Sequence, residues 1–159
     1  MSEVKDQAKA EFARAHDRLK MLLAKTPDDR INWAPSATCR TPIQQVAHSA
    51  IAIEGIQGML TGKPFPYEKL SDMDASIRAS EKEFTTREQA LNLLEKNSAT
   101  YLAWLDTVTD EQLSTRIETP MGQLPLAFAI TFPAFHTRGH AAQIEYIQTI
   151  YGDHDWYMS

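Results

Sequence analysis

An all-α fold, a four-helix bundle, is what this sequence predicts. Three observations carry that expectation. Apolar residues recur at helical spacing in four long stretches with no convincing alternating strand. Two of those stretches open on capping-box signatures. A long polar connection separates the second from the third.

The first helix is expected over about Ser2 to Lys25, with Phe12, Leu19, Leu22 and Leu23 as its apolar stripe. Pro27 stops it, and Thr26, Asp28 and Asp29 turn the chain. The second begins at Thr41-Pro42-Ile43-Gln44, where threonine caps, proline occupies the first helical position and glutamine reaches back. It runs to about Thr61, before Gly62, Pro64 and Pro66. Residues 62–85 are too many for a hairpin between antiparallel neighbours, so they read as a crossover with one helical turn near Met73 to Ala79. That would leave the second and third helices parallel.

The third helix starts near Thr86-Arg87-Glu88-Gln89 and runs to about Asp106, with Leu91, Leu94, Tyr101, Leu102 and Leu105 inward. Thr109-Asp110-Glu111-Gln112 begins a short helical turn, and Ile117 to Gln123 is expected as an irregular loop with a turn at Pro120-Met121-Gly122. The fourth helix is expected from Pro125 to just before Gly152, kinked at Pro133; the alternative is that it starts at Pro133.

The whole chain, 1–159, is expected to be one domain. With Lys and Arg at 16 against Asp and Glu at 21, there is no basic stripe, which disfavours nucleic acid as a partner. No apolar run is long enough for a bilayer, and the charged N-terminal stretch resembles neither a signal nor a transit peptide. The lone Cys39 precludes an intrachain disulfide and fits a cytoplasmic location.

His136 and His140 lie four apart on the fourth helix, so their rings share one face. That face also carries Ala129, Phe132, Ile144, Ile147 and Tyr151, so the pair points into the core. Buried imidazoles need partners for their nitrogens, and a divalent metal supplies one. Alone, a pair at this spacing is more often only a polar patch than a metal site. His48 adds a third imidazole, on the second helix in line with Gln44, Ile51 and Gly55. Gly55 and Gly58 are expected to let a neighbour approach there. The plain alternative for His48 is a core histidine bonded to a carbonyl. Three histidines leave open metal positions, with zinc or nickel as the expected ion and iron, copper or manganese as alternatives.

Around this set, Gln44, one turn before His48, is the expected supporting residue, compatible with its capping role. His16, on the inward face of the first helix, is a second candidate as a core or supporting group and less suited as a fourth ligand. Arg40 reads as a surface arginine or as a holder of an anionic substrate at the second helix's start. Cys39 reads as structural or incidental rather than nucleophilic. No carboxylate is expected on the ligand face, since Glu54 and Glu145 fall off it; this disfavours a glutamate-assisted zinc hydrolase.

With Trp33-Ala34-Pro35, Thr41 to His48 and His136-Thr137-Arg138-Gly139-His140-Ala141-Ala142-Gln143-Ile144, nearly the whole chain resembles the DinB-like family, also described as DinB/YfiT-like metalloenzymes. The resemblance implies an up-down-down-up four-helix bundle with a long crossover between helices 2 and 3. It implies a divalent metal on His48, His136 and His140, and a homodimer. Some members are thiol-dependent transferases or isomerases, so it also implies a small thiol cosubstrate passed to an electrophile. The alternative is a non-catalytic stress or interaction protein whose metal staples the bundle.

Overall fold

The computed structural model describes residues 2–158. Four long helices dominate: α1 (Ser2–Lys25), α2 (Pro42–Leu60), α4 (Arg87–Thr107) and α7 (Phe132–Ile150), with α3 (Leu70–Glu81) inside the crossover. After α4 come a short α5 (Asp110–Leu113), a hairpin of β1 (Arg116–Thr119) and β2 (Gly122–Pro125), and a one-turn α6 (Leu126–Ala129). α2 packs against α4 and α7, and α1 packs mainly against α7.

Each long helix forms where its apolar period and end signals agree. α1 buries Ala8, Phe12, Ala15, Leu19, Leu22 and Leu23, residues three or four apart. It ends where the Thr26 hydroxyl donates to the Leu22 carbonyl at 2.8 Å and Pro27 cannot continue the ladder. α2 opens on the expected capping box, with Gln44 N–H donating to Thr41 Oγ1 at 3.2 Å and Thr41 N–H to Gln44 Oε1 at 3.0 Å. It closes in a Schellman motif: Lys63 N–H reaches Gly58 O and Gly62 N–H reaches Met59 O. Gly62 takes the left-handed conformation that motif requires, at φ +79°. α7 ends the same way at Gly152, φ +93°, with Asp153 N–H donating to Gln148 O.

Three expectations need correction. The crossover helix is three turns, Leu70–Glu81, rather than one. The stretch from Ile117 is an antiparallel hairpin, with Ile117 opposite Leu124 and Thr119 opposite Gly122. Its strands have only four residues each, too short for an alternation signal to stand out. Finally, the last helix is broken rather than kinked. α6 stops at Ala129, and α7 starts afresh at Phe132 with Pro133 in its first turn. Proline lacks an N–H, and a first-turn N–H has no intrahelical acceptor anyway, so a new start removes the conflict. The Ile130 carbonyl exposed by the break accepts the buried Tyr101 hydroxyl at 2.6 Å.

No helix of the described residues is long and apolar enough to cross a membrane.

Candidate metal centre

α2 and α7 bring His48, His136 and His140 together. One ligand nitrogen from each lies within 4.8 Å of the others. The His48 ring centroid is 5.1 Å from that of His136 and 4.5 Å from that of His140. His136 Nε2 and His140 Nε2 are 3.3 Å apart. Two nitrogens at 2.0–2.1 Å from one tetrahedral ion would stand roughly 3.3 Å apart, so this edge already has the spacing that such an ion needs.

The far sides of two rings are held. His140 Nδ1–H donates to the Gln45 side-chain oxygen at 2.6 Å, which leaves its Nε2 as the lone-pair nitrogen. His48 Nδ1 meets Glu81 Oε1. His136 Nδ1 is buried with no hydrogen-bond partner among the described residues. Burial first, and then the neighbouring His48 and Arg40, lower the His136 pKa to about 4. Burial, His136, His48 and Arg40 together take His140 to about 2. Both rings are therefore neutral near pH 7, the state in which imidazole donates to a metal. Donor type, protonation and spacing all fit a divalent ion.

Glu81 corrects the expectation of no carboxylate beside the ligands. It is 1% exposed and comes from the last position of α3. Its second oxygen accepts Arg40 Nε at 2.7 Å. Burial pushes its carboxyl up, but its hydrogen bonds to His48 and Arg40, with the Arg40 charge beside it, outweigh this and hold it below the usual carboxylate range. The expected carbonyl partner of His48 is thus a carboxylate, and the ring itself is partly buried.

Other expected neighbours fall differently. The Gln44 side chain is taken up by the α2 cap, and the adjacent Gln45, 5% exposed, is the glutamine that reaches the cluster. Gln45 stands three residues before His48, as near on the helix face as Gln44, so spacing alone offered no choice between them. His16 stands apart. Its Nδ1 is 3.3 Å from Asp17, its Nε2 is 3.5 Å from Glu95 on α4, and its ring lies beside Phe12. Arg40 is drawn inward by Glu81 and by Asp74 at 3.4 Å. Cys39 is exposed and accepts the Ser36 hydroxyl at 3.1 Å. Gly55 is exposed with open space around it and Gly58 meets only Lys63, so neither glycine admits a neighbouring helix. A cleft of about 510 Å³ lies over Arg40, Gln44, Arg78, Glu81 and Lys82.

A family model for the DinB superfamily matches residues 11–144. Among solved structures, YfiT from Bacillus subtilis is 20% identical, with a TM-score of 0.74 over 96% of this chain and 90% of that one. It is described as "a probable metal-dependent hydrolase with an unusual four-helix bundle topology". An uncharacterised protein from Clostridium difficile 630 is 12% identical, with a TM-score of 0.76 over 92% of this chain and 96% of that one. A protein described as sibling lethal factor precursor, DfsB, is 21% identical, with a TM-score of 0.71 over 93% of this chain and 96% of that one. At these identities the likeness shows a shared four-helix-bundle fold. No curated protein sequence matches the chain.

Proposed function

The chain belongs to the DinB superfamily, and from that premise we propose that it is a metal-dependent enzyme acting on a small molecule, with His48, His136 and His140 as the metal ligands. The observation that carries this reading is the convergence of three imidazoles from two helices, two of them anchored on their far nitrogens. Zinc or nickel is the proposed ion, with iron, copper or manganese compatible with the donors. When bound, such an ion supplies positive charge that lowers the pKa of a small nucleophile and polarises an electrophile.

The nucleophile we propose is a low-molecular-weight thiol, transferred to a small electrophile. Glu81 is not free to act as a base, because His48 and Arg40 occupy both its oxygens. Among the described residues no other carboxylate joins the three-histidine group. An ordinary thiol has a pKa of about 8.5, far below the ~15.7 of water, and so needs less help to ionise. Water is the variant suggested by the description of YfiT; an assay run with and without thiol separates the two.

The up-down-down-up order, a cytoplasmic location and a homodimer belong to the same proposal. The exposed Phe135, Tyr146 and Trp156 offer apolar surface for a second copy, which sedimentation would test.

Elemental analysis of untagged protein tests the centre. We expect a stoichiometric ion in the wild type and its loss in His136→Ala, with thiol-dependent turnover lost and the fold retained. A second reading, a structural ion that staples the bundle, draws on the fact that the ligands join α2 to α7. It predicts instead that metal removal strongly lowers the melting temperature and that no thiol-dependent turnover returns with the ion. Absence of metal from wild-type protein that has been offered each of these ions would overturn both.

A further inference from the structure

Glu81 is a costly residue to bury. Among the described residues it is the one that α3 buries; the rest of that helix is exposed or, at Met73 and Ile77, half-exposed. A lone carboxylate in the interior is strongly unfavourable unless charge and hydrogen bonds compensate it. Here Arg40 fixes one oxygen and His48 Nδ1 meets the other. Arg40 is itself steadied by Asp74, four residues before Arg78 on α3. The crossover therefore delivers one anionic acceptor, aimed at the far nitrogen of one ring of the cluster.

We propose that Glu81, seated by Arg40, is the positioning residue for His48. It holds the proton on Nδ1 and so presents the Nε2 lone pair to the other two histidines. The inference rests on the proposed metal centre and deepens it, because a carboxylate behind a ligand imidazole raises its donor strength as well as fixing its tautomer. The three rings are then unequal. His48 has an anionic acceptor, His140 the neutral Gln45, and His136 no partner among the described residues. Glu81 should consequently matter more to metal affinity than Gln45 does.

The test measures zinc affinity by chelator competition for wild type, Glu81→Ala, Glu81→Gln, Gln45→Ala and Ile77→Ala. We expect Glu81→Ala to weaken binding roughly 10–100-fold. Glu81→Gln keeps the shape and an acceptor oxygen but places an amide against Arg40, and should fall between. Gln45→Ala should lose less than Glu81→Ala. Ile77→Ala trims a half-exposed side chain of α3 one turn before Glu81, leaves the carboxylate in place and should bind as wild type does. Imidazole ¹⁵N spectra of the metal-free proteins at mildly alkaline pH supply the readout that a merely structural role would not move. His48 should carry its proton on Nδ1 in wild type and Ile77→Ala, and lose that preference in Glu81→Ala. Wild-type affinity in both Glu81 variants, or an equal loss in Ile77→Ala, overturns the proposal. If wild type binds neither zinc nor any of the other ions named above, the metal reading fails by itself, and the His48 tautomer still decides the role of Glu81.

Discussion

Ser49 and Thr137 each follow a residue of the cluster, and their hydroxyls meet at 3.0 Å between α2 and α7 with both residues fully buried. A buried hydroxyl deprived of its partner keeps its desolvation cost, whereas removing both hydroxyls of a pair is nearly neutral. Thr137→Val should therefore destabilise the protein by about 1–3 kcal/mol. The double variant Ser49→Ala/Thr137→Val should recover most of that loss in chemical denaturation; additive losses would place the cost elsewhere. The same scale shows what the sequence could and could not reveal about the site. His136 and His140 were legible because one helical turn separates them, and geometry within a helix follows from spacing. Gln45 was harder, since Gln44 and Gln45 are equally near His48 along α2. Glu81 carried no signal. It lies 33 residues from His48 in a run, Glu81-Lys82-Glu83, whose composition reads as a solvated turn.

Helix ends were the most legible feature at the level of elements, because a cap is chemistry confined to four residues. The boxes at Thr41, Thr86 and Thr109 all form, each with its glutamine returning to the cap backbone. The cap at Thr41 has a bearing on the site, since α2 carries both His48 and Gln45. Thr41→Ala removes the oxygen that accepts Gln44 N–H and should cost about 0.5–2 kcal/mol, read as a lower melting temperature. Thr41→Ser should retain most of the stability; a serine variant as unstable as alanine would mean that the methyl group, not the cap, matters. What the sequence left obscure are elements settled by tertiary contact. The hairpin after Thr115 is too short to show a period, and the N–H of Leu126, the first residue of α6, is tied back to Thr115 O at 2.9 Å. The break at Thr131 was undecided locally, because proline suits both a kink and a first turn. Packing resolves it, with the Tyr101 hydroxyl from α4 taking up the Ile130 carbonyl.

Across the whole molecule the cluster is a product of assembly. Its rings come from helices about ninety residues apart in the chain, and a third segment, the crossover, supplies Glu81. The length of that connection was legible, and the bundle with it; the inward turn of its last residue was not, since it depends on Arg40 being there to meet it. Assembly also gives the metal-free protein a dependence on pH. In the unfolded chain the histidines titrate near the ordinary value of about 6.5. Folding lowers His136 to about 4 and His140 to about 2, mainly by burial. Below about 6.5 the unfolded chain thus binds more protons than the folded one, so stability falls on acidification; above it this contribution is constant. Glu81, held under the usual carboxylate range, adds its own loss only at lower pH. The midpoint of urea unfolding of the metal-free protein should be lower at about pH 5 than at about pH 7.5, and the gap should shrink in a His136→Ala/His140→Ala variant. With metal bound the acid loss should be steeper, because protons then compete with the ion for the same nitrogens. A metal-free midpoint that does not move over this range, or a gap that persists in the double variant, would show that these two rings are not held neutral by the fold.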